Sequence, residues 1–174
     1  MPRASPEARA PVRTLQEEIQ QTRPFSSVAQ EAAVSLLRTT DVMRRHLMRV
    51  VDPRGITLQQ YNVLRILRGA GATPMPTLAI AERMVERTPG ITRLLDRLAN
   101  KGYVERVRCA HDRRQVLCTI TEAGLALLDT LDEPMNVAGE HVVDELSETE
   151  RAQLVRLLDR VRACIHAHES SDRA

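Results

Sequence analysis

The stretch that decides the fold is Arg87-Thr88-Pro89-Gly90-Ile91-Thr92-Arg93-Leu94-Leu95-Asp96-Arg97-Leu98. Its apolar residues follow the i, i+3, i+4, i+7 spacing of a helix that buries one face. Thr88 is a favoured N-cap residue, Pro89 fits the first helical position, and Lys101-Gly102 marks the helix end. The polar residues fall on the opposite face or its flanks, so we expect this helix to present hydrogen-bonding groups to solvent.

Two β-like runs follow this helix. Residues 103–108 alternate with a period near two, residues 115–120 are rich in β-branched side chains, and the polar segment Ala110-His111-Asp112-Arg113-Arg114 separates them. The pattern predicts a β-hairpin with arginines at its tip. The major groove of DNA admits a helix, and a narrow minor groove attracts arginine. Together the two elements predict binding to duplex DNA, and ordinary solvated arginines are the alternative.

The distribution of charge supports a polyanionic partner. The chain has 25 Lys and Arg residues against 23 Asp and Glu residues, but residues 54–121 hold twelve basic and five acidic side chains. This basic segment therefore carries a net charge of +7 and the remainder −5, as expected where phosphates are neutralised. With one Phe, two Tyr and no Trp, the chain lacks the aromatic platforms that bind single strands, which favours duplex DNA.

Composition narrows the remaining classes of protein. A chain of 174 residues with 43% hydrophobic content can bury its own core as one domain or two closely joined lobes. Its apolar runs are too short to cross a membrane and its N-terminus lacks a secretory segment, so we expect a cytoplasmic protein with no membrane partner. The three cysteines show no CxxC spacing, which predicts free thiols rather than a disulfide.

Motifs for catalysis or cofactor binding are missing from the sequence. A phosphate-cradling glycine loop, an HExxH motif and a nucleophile elbow are all absent, so the chain is not expected to be an enzyme or to hold a cofactor. The run Cys164-x-His166-x-His168 has metal-binding residue types. On a helix, however, His166 points away from the other two, so no metal site is predicted.

Helical patterns lie on both sides of the basic segment. Residues 27–51 form a long apolar stripe that ends at Asp52-Pro53, and a short N-terminal helix is expected at Thr14. Thr57 and Thr77 open two further helices, and the turn 85–87 joins the second of them to the helix described first, as in a helix-turn-helix. A helix from residue 121, kinked or split at Pro134, and a last helix after residue 147 complete the chain.

The order of these elements and several motifs resemble the multiple-antibiotic-resistance regulator (MarR) family of bacterial transcription factors. The resemblance covers roughly residues 28–165, and several motifs in the right order make it specific. The motifs are Ile56-Thr57-Leu58-Gln59-Gln60-Tyr61-Asn62-Val63-Leu64, Ala79-Ile80-Ala81-Glu82-Arg83-Met84, Ile91-Thr92-Arg93-Leu94-Leu95-Asp96-Arg97-Leu98, Asp112-Arg113-Arg114 and Thr119-Ile120-Thr121-Glu122-Ala123-Gly124. One departure is the turn Val85-Glu86-Arg87, where many relatives have a glycine.

The resemblance implies a mainly α fold with a small β-hairpin, in which a winged helix-turn-helix domain is joined to a helical dimerisation domain. It implies a homodimer that represses transcription from a pseudo-palindromic operator and is released by a small aromatic effector, whose contact residues we do not assign. The implied domains are a partly disordered extension (1–26), a first dimerisation helix (27–53), the winged helix-turn-helix (54–121), C-terminal dimerisation helices (122–168) and a disordered tail (169–174).

The resemblance also assigns roles at the DNA interface. The helix that begins near Thr88 is the expected recognition helix, and its residues are expected near bases or phosphates in the major groove. Arg113 or Arg114 is expected in the minor groove. Asp112 is expected to orient the hairpin through a salt bridge, with a simple turn residue as the alternative. The expected recognition-helix residues are Thr88, Pro89, Gly90, Thr92, Arg93 and Arg97.

Two other functions stay open. Cys109 lies near the hairpin tip beside Arg106 and Arg108, which favour a thiolate, so its oxidation could disturb DNA contacts in a redox-sensing regulator. A protein-interaction module without DNA affinity is the other alternative, but it leaves the charge of the basic segment without a cause.

Overall fold

The structure is a computed structural model that describes residues 13–87, 89–112 and 114–171. The chain divides into two compact units, Met1–Arg45 and His46–Ala174. Its helices and strands follow in the order α1 (Leu15–Glu18), α2 (Val28–Val51), a 3-10 turn (Asp52–Arg54), α3 (Leu58–Ala70), β1 (Met75–Pro76), α4 (Thr77–Arg83), α5 (Ile91–Asn100), β2 (Val104–Arg108), β3 (Val116–Ile120), α6 (Glu122–His141) and α7 (Glu148–Ser171). The expected fold class, mainly helical with a small sheet, is confirmed.

The described residues of the first unit form α1 and the first part of α2, joined by turns and irregular chain. Thr14 caps α1 through the predicted capping box, in which its hydroxyl accepts from the backbone N–H of Glu17 and its own N–H donates to the Glu17 carboxylate. An ion pair of 3.1 Å between Glu18 and Arg38 joins α1 to α2. Helix α2 begins at Val28 and reaches Val51 in the second unit, as its apolar stripe predicts.

The second unit is built around one apolar core. Its fully buried side chains come from α3, α4, α5, β3 and α6, together with two residues beside the 3-10 turn. Each large aliphatic side chain buried in this way stabilises the fold by about 2 kcal/mol. The largest of them are Ile56, Leu64, Leu67, Ile80, Leu95, Leu98, Leu128, Leu131, Val51, Val63 and Cys118.

The sheet has three antiparallel strands rather than the two of the predicted hairpin. The strand order is β1-β3-β2, with Met75 opposite Cys118 and Val104 opposite Ile120. Strand β1 was missed because Thr73-Pro74-Met75-Pro76 indicates a break in a helical pattern. A proline is tolerated there because β1 is an edge strand.

Local hydrogen bonds explain where several helices begin. Capping boxes at Thr57 with Gln60 and at Ser147 with Glu150 start α3 and α7, and Thr121 caps α6 by accepting from the backbone N–H of Gly124. Thr77, predicted as an N-cap, is instead the first residue of α4, and its hydroxyl donates to the carbonyl of Val116.

The predicted start of α5 is wrong. Helix α5 begins at Ile91 with Gly90 as its N-cap, in the left-handed conformation at a φ of 93°. Pro89 therefore precedes the helix, and the expected cap, Thr88, lies outside the described residues. Helix α6 is continuous through Pro134, so of the two outcomes expected there, a kink or a split, the split does not occur. None of the helices in the described ranges is long and apolar enough to span a membrane.

Candidate nucleic-acid interface

Helix α5 separates an apolar face from a polar one, as predicted. Leu94, Leu95 and Leu98 are 8%, 0% and 0% exposed and fix the helix on the core. Thr92, Arg93 and Arg97, like Pro89 and Gly90 before the helix, are exposed to solvent. A rigid helix that presents cationic and hydroxyl groups outward has the form required to enter a groove of DNA.

The structure of the turn between α4 and α5 shows why no glycine is needed at residues 85–87. The Asn62 side chain on α3 accepts a hydrogen bond of 2.9 Å from the backbone N–H of Val85, which holds the start of the turn. The left-handed residue comes later, at Gly90, where any side chain would be strained. In this chain the glycine of the turn therefore lies directly before α5, at residue 90, rather than at residues 85–87.

The hairpin tip, residues 109–115, is organised by Asp112. Its carboxylate accepts from the backbone N–H of Arg114 at 3.0 Å and from the side chain of Gln115 at 3.2 Å. Its carbonyl accepts from the Gln115 N–H, and the N–H of Cys109 donates to the carbonyl of Gln115. Asp112 thus acts as a turn-forming residue. Its expected salt bridge stays a prediction, because Arg113 lies outside the described residues. Arg114 is exposed.

Part of the positive charge of the basic segment is neutralised within the fold. Arg68 donates to both carboxylate oxygens of Asp132, at 2.7 and 2.8 Å, and lies 3.7 Å from Asp129. These hydrogen bonds hold the pKa of Asp132 below its ordinary value and raise that of Arg68. Arg106 is paired with Asp96. Lys101 donates to the carbonyl of Gly55, a neutral group that does not offset a positive charge. The two paired arginines therefore contribute less to an external field than their number indicates.

Eight arginines of the basic segment remain exposed to solvent among the described residues. They come from the 3-10 turn, α3, α4, the turn before α5, α5 itself, β2 and the hairpin tip. These residues are Arg54, Arg65, Arg83, Arg87, Arg93, Arg97, Arg108 and Arg114. Such a set supplies the cationic contacts that phosphates require.

The three cysteines occupy different environments. Cys118 on β3 is fully buried, and burial raises the pKa of its thiol, so it behaves as a small apolar side chain. Cys109 is half-buried where β2 enters the hairpin tip, and Cys164 is exposed on α7. The location of Cys109 agrees with that assumed for the redox alternative, which stays a prediction.

Sequence reasoning missed two contacts within the candidate interface, which involve Asn62, Asp96 and Arg106. Asn62 belongs to a quoted motif, but its capping role depends on a partner 23 residues away. The pairing of Asp96 with Arg106 joins a helix to a strand, and residue spacing gives no signal for such a contact. Only the opposite charges of the two side chains could have indicated it.

The described helix-turn-helix and the adjoining hairpin define the class of fold as a winged helix-turn-helix. The model of the MarR family matches residues 56–116, which include the helix-turn-helix and strand β2 of the hairpin but end at the first residue of β3. The multiple antibiotic resistance protein MarR of Salmonella typhimurium is 31% identical over 119 residues, which are 67% of this chain and 81% of that protein. An uncharacterized HTH-type transcriptional regulator of Mycobacterium bovis is 38% identical over 73 residues, which are 42% of this chain and about half the length of that relative.

Solved structures extend the similarity beyond the matched segment. A MarR transcription factor from Planctomyces limnophilus is 40% identical, with a TM-score of 0.62 over 78% of this chain and 98% of that one. A mutant MarR from E. coli, solved in complex with operator DNA, is 26% identical, with a TM-score of 0.66 over 84% of this chain and 97% of that one. The chain belongs to the MarR family of transcriptional regulators.

Proposed function

We propose that this protein is a homodimeric transcriptional repressor that binds a pseudo-palindromic duplex operator. Helix α5 would enter the major groove and the hairpin tip the minor groove. The observation that carries the proposal is the outward face of α5, where Thr92, Arg93 and Arg97 are exposed on a helix fixed by three buried leucines. A relative that is 26% identical forms a complex with operator DNA, which supports the same partner for this chain.

The proposed contacts fall into two groups. Backbone N–H groups near Pro89 and Gly90 are suited to phosphates, and the side chains of Thr92, Arg93 and Arg97 to bases or phosphates. Thr88 and Arg113 remain part of the proposed interface on the strength of the family resemblance alone. Arg114, exposed beside the turn that Asp112 forms, is the described residue proposed for the minor groove.

Helix α7 supports a homodimer. None of its 24 residues is buried, and its apolar side chains are exposed by 37% (Leu154), 57% (Val155), 46% (Leu157), 38% (Val161) and 51% (Ile165). A continuous apolar stripe of this kind is expected to be covered by another surface. A second copy of the chain is the occupant that the family implies, with residues 27–53 and 122–168 as dimerisation segments around the DNA-binding domain 54–121.

Repression, release by an effector and location follow as further parts of the proposal. A dimer that covers a promoter blocks polymerase without other contacts, and binding to bacterial DNA takes place in the cytoplasm.

A small aromatic effector is the ligand that the family resemblance implies. The described groove along α6 has a volume of about 420 Å³, but it is lined by Glu133, Asn136 and Glu140 as well as apolar side chains. Its charged lining is a poor match for an aromatic molecule, so we assign no effector residue.

A fluorescence-anisotropy titration tests the proposal. The full chain is titrated with duplexes from the DNA flanking its own gene and with random duplex, at several salt concentrations. We expect one flanking duplex to bind at least about 10³-fold more tightly than random duplex. Arg97→Ala should weaken that binding, whereas Arg23→Ala, which removes an exposed arginine between α1 and α2, should not.

Two results would contradict the proposal. If no duplex binds at low salt, the protein-interaction alternative is favoured. If sedimentation velocity gives a mass near 19.6 kDa rather than about twice that value, the homodimer is wrong.

A further inference from the structure

An acidic side chain lies on the exposed face of the proposed recognition helix. Asp96 is three residues after Arg93 and one before Arg97, and half of its side chain is exposed. A carboxylate facing DNA repels phosphates, so its presence there weakens binding unless it has another role. In the structure, Oδ1 of Asp96 is in contact with Nη1 of Arg106.

Arg106 occupies an environment that is unusual for an arginine. Its side chain is only 19% exposed, in the middle of β2, and its neighbour across the sheet is the fully buried Cys118. Its Nε atom is buried and has no hydrogen-bond partner among the described residues. In the described part of the chain, Asp96 is the carboxylate paired with this guanidinium.

Stability alone does not explain this pair. An unsatisfied, buried N–H of a guanidinium costs free energy that a well-packed apolar residue would avoid. The pair instead makes a specific connection between α5 and the strand that leads into the hairpin tip. These are the two elements proposed to enter the major and minor grooves, so their relative orientation decides whether both can bind at once.

We propose that Asp96 and Arg106 are positioning residues, and that their ion pair holds α5 and the hairpin in the relative orientation that the operator requires. This inference rests on the proposed function. Asp96 acts through Arg106 rather than by contacting DNA. The pair therefore raises the preference for operator over random duplex, although the charge of Asp96 opposes DNA binding.

The test uses the fact that loss of the Asp96 charge and loss of its positioning role change operator binding in opposite directions. In Asp96→Ala a negative charge is lost from the DNA-facing surface, so electrostatics alone predicts tighter binding to every duplex. Positioning predicts the reverse for the operator, a loss of about tenfold, while binding to random duplex at low salt is unchanged or tighter. The probe is the duplex that the parent protein selects from a random-sequence pool, compared with unselected duplex by fluorescence anisotropy.

Matched variants separate positioning from general stability. Asp132→Ala removes the carboxylate partner of another arginine, Arg68, in the same unit. We expect it to lower the thermal midpoint and to leave the preference for operator within about twofold of the parent. If Asp96 acts through Arg106, the double variant Asp96→Ala/Arg106→Met should prefer operator no less than Arg106→Met alone. Asp96→Asn, which keeps the side-chain shape, should show a smaller loss in the same direction if the alanine variant fails to fold.

Several outcomes would overturn the inference. They are unchanged or tighter operator binding by Asp96→Ala, equal losses on both duplexes, or a changed base preference at one operator position, since a carboxylate can accept from cytosine. If the parent protein selects no duplex, the proposed function itself is wrong. That result differs from one in which the parent and Asp96→Ala bind the operator equally well, which contradicts only the inference about Asp96 and Arg106.

Discussion

Gly124, in the first turn of α6, leaves no space for a side chain. A Cβ atom at this position would lie 2.4 Å from the carbonyl oxygen of Tyr103 and 2.8 Å from Cγ1 of Ile120. The carbonyl cannot easily move, because it accepts a hydrogen bond of 3.1 Å from the backbone N–H of Thr121. We therefore predict that Gly124→Ala displaces the start of α6 from the residues that join α5 to β2.

The size of the effect follows from these distances. Ordinary contacts of a Cβ begin near 3.4 Å, so the helix start has to shift by about 1 Å. Overpacking by one methyl group costs about 1–3 kcal/mol, and loss of the Thr121 hydrogen bond costs about 1 kcal/mol. Alanine recovers about 1 kcal/mol of helix propensity over glycine, which leaves a net loss of about 2 kcal/mol.

Urea unfolding followed by far-UV circular dichroism measures this loss. In a chain of this size, a loss of about 2 kcal/mol should also lower the midpoint of thermal unfolding by about 4–8 °C. Gly139→Ala is the matched control, because it lies in the same helix and a Cβ there meets nothing within 4 Å. The control should gain about 0.5–1 kcal/mol. Equal stability of Gly124→Ala and the parent, or shifts of the same sign in both variants, would refute the reasoning.

Three further predictions concern charge and oxidation. Arg114→Ala should reduce the slope of log affinity against log salt by about one unit, and an unchanged slope would remove this residue from the phosphate contacts. Asp132→Ala should cost about 1 kcal/mol or less near neutral pH. Arg68 lowers the pKa of Asp132 in the folded state, so this loss of stability is present above the unfolded pKa of about 4 and disappears as the pH falls through the folded pKa. Urea midpoints measured at several pH values test this expectation. A difference between variant and parent that does not change with pH would contradict a stabilising ion pair between Arg68 and Asp132. Peroxide is expected to affect DNA binding equally in the parent and in Cys109→Ser, whereas protection by serine would establish the redox alternative.

The elements that could be predicted from sequence are those fixed by local spacing. The face of α5 follows from Leu94, Leu95 and Leu98 at helical intervals, and the capping boxes at Thr57 and Ser147 depend on residues three apart. The resemblance to the MarR family was also recognisable from motifs in the correct order. Periodicity and capping are local, so they persist whatever the rest of the chain does.

What could not be predicted depends on contacts between distant residues. Arg68 and Asp132 are 64 positions apart, and no pattern in the sequence connects them. Strand β1 exists only because β3 lies beside it, since two residues that include a proline have little strand character alone. The start of α5 was misplaced for a local reason instead. Thr88-Pro89 resembles a helix start, but the left-handed Gly90 sets the actual boundary.

The chain contains 24 arginines and a single lysine, and that lysine lies directly after α5, with its ammonium group on the carbonyl of Gly55. Amine-directed reagents leave guanidinium groups unmodified, so apart from the chain's amino terminus they have one target. A fluorophore coupled to Lys101 would therefore sit beside the proposed DNA-binding surface without neutralising any arginine. One labelling reaction would convert the natural protein into an optical reporter of operator occupancy, with no engineered cysteine.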